Sequence, residues 1–87
     1  MTTIMAIDLG RYKSVVCFYV HDTRTMSFRT IDTTPEVVRE LCDEYATALV
    51  VVEACAHAGW VNDVAVAGGL RVKVANTAGE AGRQSEE

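Results

Sequence analysis

Nothing in this 87-residue chain approaches the roughly 18–20 consecutive apolar residues that span a bilayer, so no membrane helix is expected. A basic excess is missing too. Lys plus Arg total 8 against 12 for Asp plus Glu, a formal net charge of −4. A free-standing domain that neutralises a nucleic-acid backbone usually carries the opposite balance. Cysteine is sparse and odd in number: Cys17, Cys42 and Cys55, with no C-x-x-C spacing. That excludes a disulfide framework and a zinc ribbon. All three lie in apolar stretches, where a reduced thiol behaves as a small hydrophobe. The expectation is three buried cysteines in a cytosolic protein. Cys55 and His57 lack companions for a metal site, because the other histidine is His21. Internal repeats and low-complexity segments are absent. The opening MTTIMAIDLG has no basic stretch and meets Asp8 early, so no secretory leader is expected.

What is present is a core. Hydrophobic residues make up 49% of the chain and charged residues 23%, which excludes wholesale disorder and suits one small domain. At this length folding buries roughly 60–65% of the chain's surface, so stability is expected to be modest.

Residues 3–9, TIMAIDL, read as a buried strand that stops at Gly10. Residues 14–20, SVVCFYV, read as a second strand, joined to the first as a hairpin by the polar link GRYK. After the turn signal HDTRT, residues 26–32 alternate: Met26, Phe28, Thr30 and Asp32 on one side, Ser27, Arg29 and Ile31 on the other. Alternation of this kind predicts a half-exposed strand near a sheet edge. A helix follows, with Pro35 at its first position after Thr34 as cap, or with Thr33 and Glu36 in capping-box spacing. Val37, Val38, Leu41, Cys42 and Tyr45 share its apolar face, and Glu36, Arg39, Glu40, Asp43 and Glu44 its solvated one. Residues 48–55, ALVVVEAC, read as a central parallel strand. A second helix over residues 57–67 places Trp60 in the core beneath the sheet and stops at Gly68-Gly69. Residues 70–76 form the last strand. The order β-β-β-α-β-α-β is that of an α/β ribonuclease H-like mixed sheet.

Two carboxylates stand out. Asp8 and Glu53 each end an otherwise apolar strand, where an ionised group is costly unless paired or bound to a cation. Sites in α/β sheets assemble at the carboxyl ends of strands. Parallel neighbours would bring the two acids together, in a poorly solvated cleft, as hard oxygen ligands for Mg²⁺ or Mn²⁺. Two structural alternatives stand beside this. Asp8 can close the turn before Gly10, and Glu53 can pair with Lys13 or Arg71. Arg11 and Lys13 are candidate phosphate contacts. Asp63, His57 and Asn76 read as helix-surface, cap-region and turn residues.

The hairpin AIDLGRYKSVVCFY and the segments FRTIDTTPEVVRELCDEY, VVVEACAHAGWV and LRVKVANTAGEA, in this order, resemble the amino-terminal domain of the DEDD transposases of insertion-sequence family one-ten, which include the pilin-gene invertases. The resemblance covers residues 3–81. It implies a RuvC-like, ribonuclease H-like domain whose four acids bind divalent metal for DNA strand cleavage and exchange. Asp8 matches the first acid and Glu53 the second. The family works on DNA with a guide RNA, as a homo-oligomer, in the prokaryotic cytoplasm. The third and fourth acids belong to a segment of the kind K-T-D-x-x-D-A beyond the V-A-N strand. Here the chain reads GRQSEE from residue 82. The expectation is therefore a partial domain over 1–81 and a divergent, disordered tail over 82–87: a truncated transposase fragment, inactive alone, with weak or absent Mg²⁺ or Mn²⁺ binding. The rival class is a fragment of an actin- or sugar-kinase-type ATPase, with IDLGRYKSVVCF as phosphate loop and Lys13 and Ser14 near phosphate. Its weakness is the bulk of Arg11-Tyr12, where the backbone must approach phosphate. A non-catalytic interaction domain is the third class.

Overall fold

Three strands joined by short links come first: β1 (Thr3–Asp8), β2 (Lys13–Val20) and β3 (Thr25–Asp32). Helices and strands then alternate as α1 (Pro35–Glu44), β4 (Leu49–Glu53), α2 (Ala58–Ala67) and β5 (Arg71–Ala75). The structure is a computed structural model and describes residues 3–75. The expectations for Asn76 and for the 82–87 tail lie outside the described residues. The five strands form one mixed sheet in the order β3-β2-β1-β4-β5. β2 runs antiparallel to both of its neighbours, while β1 pairs parallel with β4, and β4 parallel with β5. The element order is the one the sequence implies.

Local chemistry sets the joints. Gly10 lies in the β1–β2 link, where any Cβ would collide with the Lys13 carbonyl oxygen. Its N–H donates to Ser14 Oγ at 3.3 Å, and that hydroxyl sits 2.6 Å from Thr33 Oγ1. Thr33 is thus engaged with the hairpin, and the cap of α1 is Thr34. Extended backbone at φ −132° and ψ 151° lets the Thr34 hydroxyl accept from the Val37 N–H at 3.3 Å, with Pro35 opening the helix. α2 ends at Gly68, and Gly69 takes the left-handed φ of +86° that reverses the chain into β5.

The core lies on one face of the sheet. Met5, Ile7, Val16, Phe18, Ile31, Val50 and Val52 are buried there against Val38, Leu41 and Cys42 of α1 and Ala58, Val61 and Ala65 of α2. Phe18 meets Tyr45 with ring centroids 4.7 Å apart. Arg29 lies over both rings, at 5.1 Å from Phe18 and 5.9 Å from Tyr45, and pairs with Glu44 at 3.4 Å. This ties the edge strand β3 to α1. Burying apolar side chains at about 25 cal/mol per Å² is the main stabilising term.

Alternation sends the intervening residues to the other face, which no described element covers. Ala6, Val15 and Phe28 are exposed there, and Cys17, Leu49 and Val51 are half-buried. Several expectations change with this one-sided packing. β4 buries one side only, since Glu53 and its alternates face outward. The three cysteines divide into buried Cys42, half-buried Cys17 and exposed Cys55. Trp60 packs against the core from α2 but is only half-buried, and its indole N–H donates to His57 Nδ1 at 3.0 Å. β3 buries only Ile31, because it is the edge strand.

Candidate metal and nucleic-acid site

β1 and β4 run side by side with Ile4, Met5, Ala6 and Ile7 opposite Leu49, Val50, Val51 and Val52. Asp8 and Glu53 are the next rung of that register. Met5 and Ile7 point into the core, so alternation turns Asp8 onto the open face, and Val50 and Val52 do the same for Glu53. Forty-five positions apart in sequence, the two acids end adjacent parallel strands on one side of the sheet.

They border a shallow, open depression of about 430 Å³. Ala6, Val15, Cys17, Phe28 and Val51 form its apolar floor, and Ala75 closes the β5 side. Both carboxylates are exposed. Among the described residues no sheltered cleft of the kind inferred from the apolar strands surrounds them, because the helices cover only the opposite face. Water reaches both groups, and their mutual repulsion is screened.

The structural alternatives for these acids have other outcomes. The Gly10 N–H goes to Ser14, and the turn closes without Asp8. Lys13 is ion-paired with Asp32, its partner across the β2–β3 pair. Arg71 lies opposite Leu49, four positions from Glu53 along the strand, and no ion pair joins Glu53 to either base among the described residues. Arg11 is exposed in the link, its guanidinium 5.3 Å from the Tyr12 ring centroid.

Ser14 is 1% exposed, and its hydroxyl is engaged by Gly10 and Thr33. The Ser14 hydroxyl is thus not presented to a phosphate as the ATPase reading requires, while Lys13 stays exposed beside Asp32. His57 is the N-cap residue of α2, and it accepts at Nδ1 from Trp60, so its proton sits on Nε2. Asp63 is exposed on α2.

Hard oxygen donors suit Mg²⁺ or Mn²⁺, and Asp8 and Glu53 supply two such groups on one rung. Among the described residues no group of three or more His, Cys, Asp and Glu side chains gathers for a cation. Two carboxylates fit a single, largely hydrated ion. They do not fit the ion pair that in-line phosphodiester chemistry employs.

The apolar floor is the feature that reading the runs as core conceals. Its signal lay in β3, where Met26 and Phe28 share a side with Asp32 and oppose Ile31. No helix among the described residues is long and apolar enough to cross a membrane. No protein-family model matches the chain, and no curated protein matches it significantly.

Proposed function

We propose that this chain is a fragment of a metal-dependent DNA transposase or site-specific recombinase of the DEDD type, with Asp8 and Glu53 as two of its metal ligands. The observation that carries the reading is their meeting on one rung at the carboxyl ends of β1 and β4. The strand order, with β2 alone reversed, fits the ribonuclease H-like, RuvC-like sheet that the sequence resemblance implies. A bound Mg²⁺ or Mn²⁺ would supply charge stabilisation and an activated nucleophile at a phosphodiester. Asp8 and Glu53 would hold it and keep it on the open face. Arg11, exposed in the neighbouring link, is the candidate contact to a DNA or guide-RNA phosphate. Lys13 is exposed in the same region, with Asp32 as its carboxylate partner.

With two of four acids, the chain alone neither cleaves nor joins DNA. The test is Mn²⁺ titration followed by electron paramagnetic resonance, alongside a plasmid-nicking assay. Weak binding is expected, lost in Asp8→Ala and in Glu53→Ala, with no nicking in either metal. Binding that survives both substitutions would overturn the site. Nicking that disappears with Asp8→Ala would overturn the claim of inactivity. A coding frame for a K-T-D-x-x-D-A segment just past codon 81 would supply the missing acids. Its absence from all three frames would remove the support for a fragment.

A further inference from the structure

α2 begins weakly. Its N-cap residue, His57, has helical backbone angles, φ −91° and ψ −11°, and makes no side-chain cap. No acid stands in the first turn, where a carboxylate would favour the helix dipole. Gly59, the second helical residue, is of the poorest helix-forming type after proline. Among the described residues one side-chain hydrogen bond fastens that turn: the Trp60 indole N–H donates to His57 Nδ1 at 3.0 Å. The two residues are three apart in sequence, hence neighbours on a helix surface. Their rings meet edge to face, with centroids 6.0 Å apart. Both are half-buried, and Trp60 packs on the core.

The bond admits one protonation state. An indole nitrogen only donates, so Nδ1 must offer a lone pair and the imidazole must be neutral. A proton on Nδ1 sets two donors against each other. It also adds a positive charge at the start of a helix, where the dipole repels it. The bond then breaks, and Trp60 loses its tie to the start of α2. Histidine is the side chain whose charge ordinarily changes between about pH 5 and 8.

The charges on the surrounding elements point elsewhere. α2 packs against α1, β4 and β5. β4 turns Val50 and Val52 toward the helices and Glu53 to the opposite face; β5 turns Val72 inward and Arg71 and Lys73 outward. α1 brings Arg39, Cys42 and Asp43 to Val64 and Gly68, which begin about 10 Å along α2 from His57. On its own stretch of chain His57 has Cys55 before it and Asp63 after it, and no carboxylate within ion-pair distance among the described residues.

We propose that His57 and Trp60 form a pH-operated latch on the first turn of α2, closed while His57 is neutral and open once it is protonated. That turn is joined to Glu53 by residues 54–57 alone, so the latch gives the carboxyl end of β4 a joint that loosens in acid. The latch does not depend on the transposase reading, and it is tested without divalent metal.

The test is an NMR titration of the unaltered chain from about pH 8 to pH 5. Trp60 is the single tryptophan, so one indole N–H resonance reports the bond. Its shift should titrate with the midpoint of the His57 ring protons. His21→Gln should leave that titration in place. His57→Gln should remove it, because the amide carbonyl can accept the indole N–H at any pH. The Val61 amide donates to the His57 carbonyl at 3.1 Å. Its exchange protection, corrected for intrinsic rates, should fall about fivefold from the neutral to the acid end, the worth of a typical intramolecular hydrogen bond. In His57→Gln it should hold steady. In the unaltered chain alone, an indole resonance that does not titrate, or one whose midpoint differs from that of His57, would overturn the proposal. So would an indole titration that survives His57→Gln or disappears with His21→Gln, or Val61 protection that falls equally in parent and His57→Gln.

Discussion

Replacing Glu53 with Gln keeps the shape of the Asp8–Glu53 rung and removes one of its two charges. Facing groups on neighbouring strands are about 5.5 Å apart. Two like charges at that distance in water repel by about 0.75 kcal/mol. A Debye length of about 8 Å at physiological salt halves this, to about 0.4 kcal/mol. Exposure of both carboxylates is the reason for using the water value. For a domain of this size the gain is a rise in Tm of about 2–3 °C. Trp60, the single tryptophan and half-buried against the core, reports the melt by fluorescence. In 1 M NaCl the Debye length falls to about 3 Å and the gain should shrink below about 1 °C. Mg²⁺ at a concentration equal to its Kd should stabilise the Glu53 parent by about 0.4 kcal/mol and the variant less, since only the folded state binds it. A variant that melts below its parent in chelator would refute the reasoning, because Glu53 would then be in an attractive interaction. Equal Mg²⁺ responses would remove the carboxylate pair as a cation site.

Three further outcomes follow from the packing. Gly10→Ala should cost about 1–3 kcal/mol in urea melts, since the added methyl meets a backbone carbonyl that cannot swing away; an unchanged midpoint would contradict the close approach. Arg29→Ala should cost about 1 kcal/mol, from an exposed ion pair and stacking on Phe18 and Tyr45, and Arg29→Lys should recover less than half; full recovery by Lys would mean the rings contribute nothing. Burial first, and the Asp43 charge second, push the Cys42 thiol above its ordinary value of 9.0, so the folded state keeps a proton that the unfolded chain releases. Its contribution is complete below pH 9 and is lost as pH rises through the raised folded value. The urea midpoint of the parent should therefore fall more steeply above pH 9 than that of Cys42→Ala, and parallel curves would contradict it.

Elements were legible where one local interaction decides them. Thr34 and Pro35 mark the start of α1, Gly68-Gly69 marks the end of α2, and Gly10 marks the end of β1, each through a bond or a steric limit within four residues. The placing of Asp8 beside Glu53 was legible as well. Each sits at the same distance past its strand's first apolar residue, and a parallel register preserves that match.

Which face of the sheet is covered was not legible, because it depends on where α1 and α2 land. The run SVVCFYV reads as wholly apolar, yet it divides into Val16 and Phe18 inside and Val15 and Cys17 outside. A run of that kind normally marks a strand buried on both faces. Here the second face is bare among the described residues, and the two consequences are linked. The same one-sidedness that exposes Phe28 and Val15 hydrates Asp8 and Glu53. A cation on that rung would therefore sit in water-accessible surroundings, where its attraction to the two carboxylates is screened by salt. Any rise in Tm that Mg²⁺ gives the parent should shrink in 1 M NaCl and be absent in Asp8→Ala. A rise that survives Asp8→Ala would place the cation elsewhere and contradict the pair as its site.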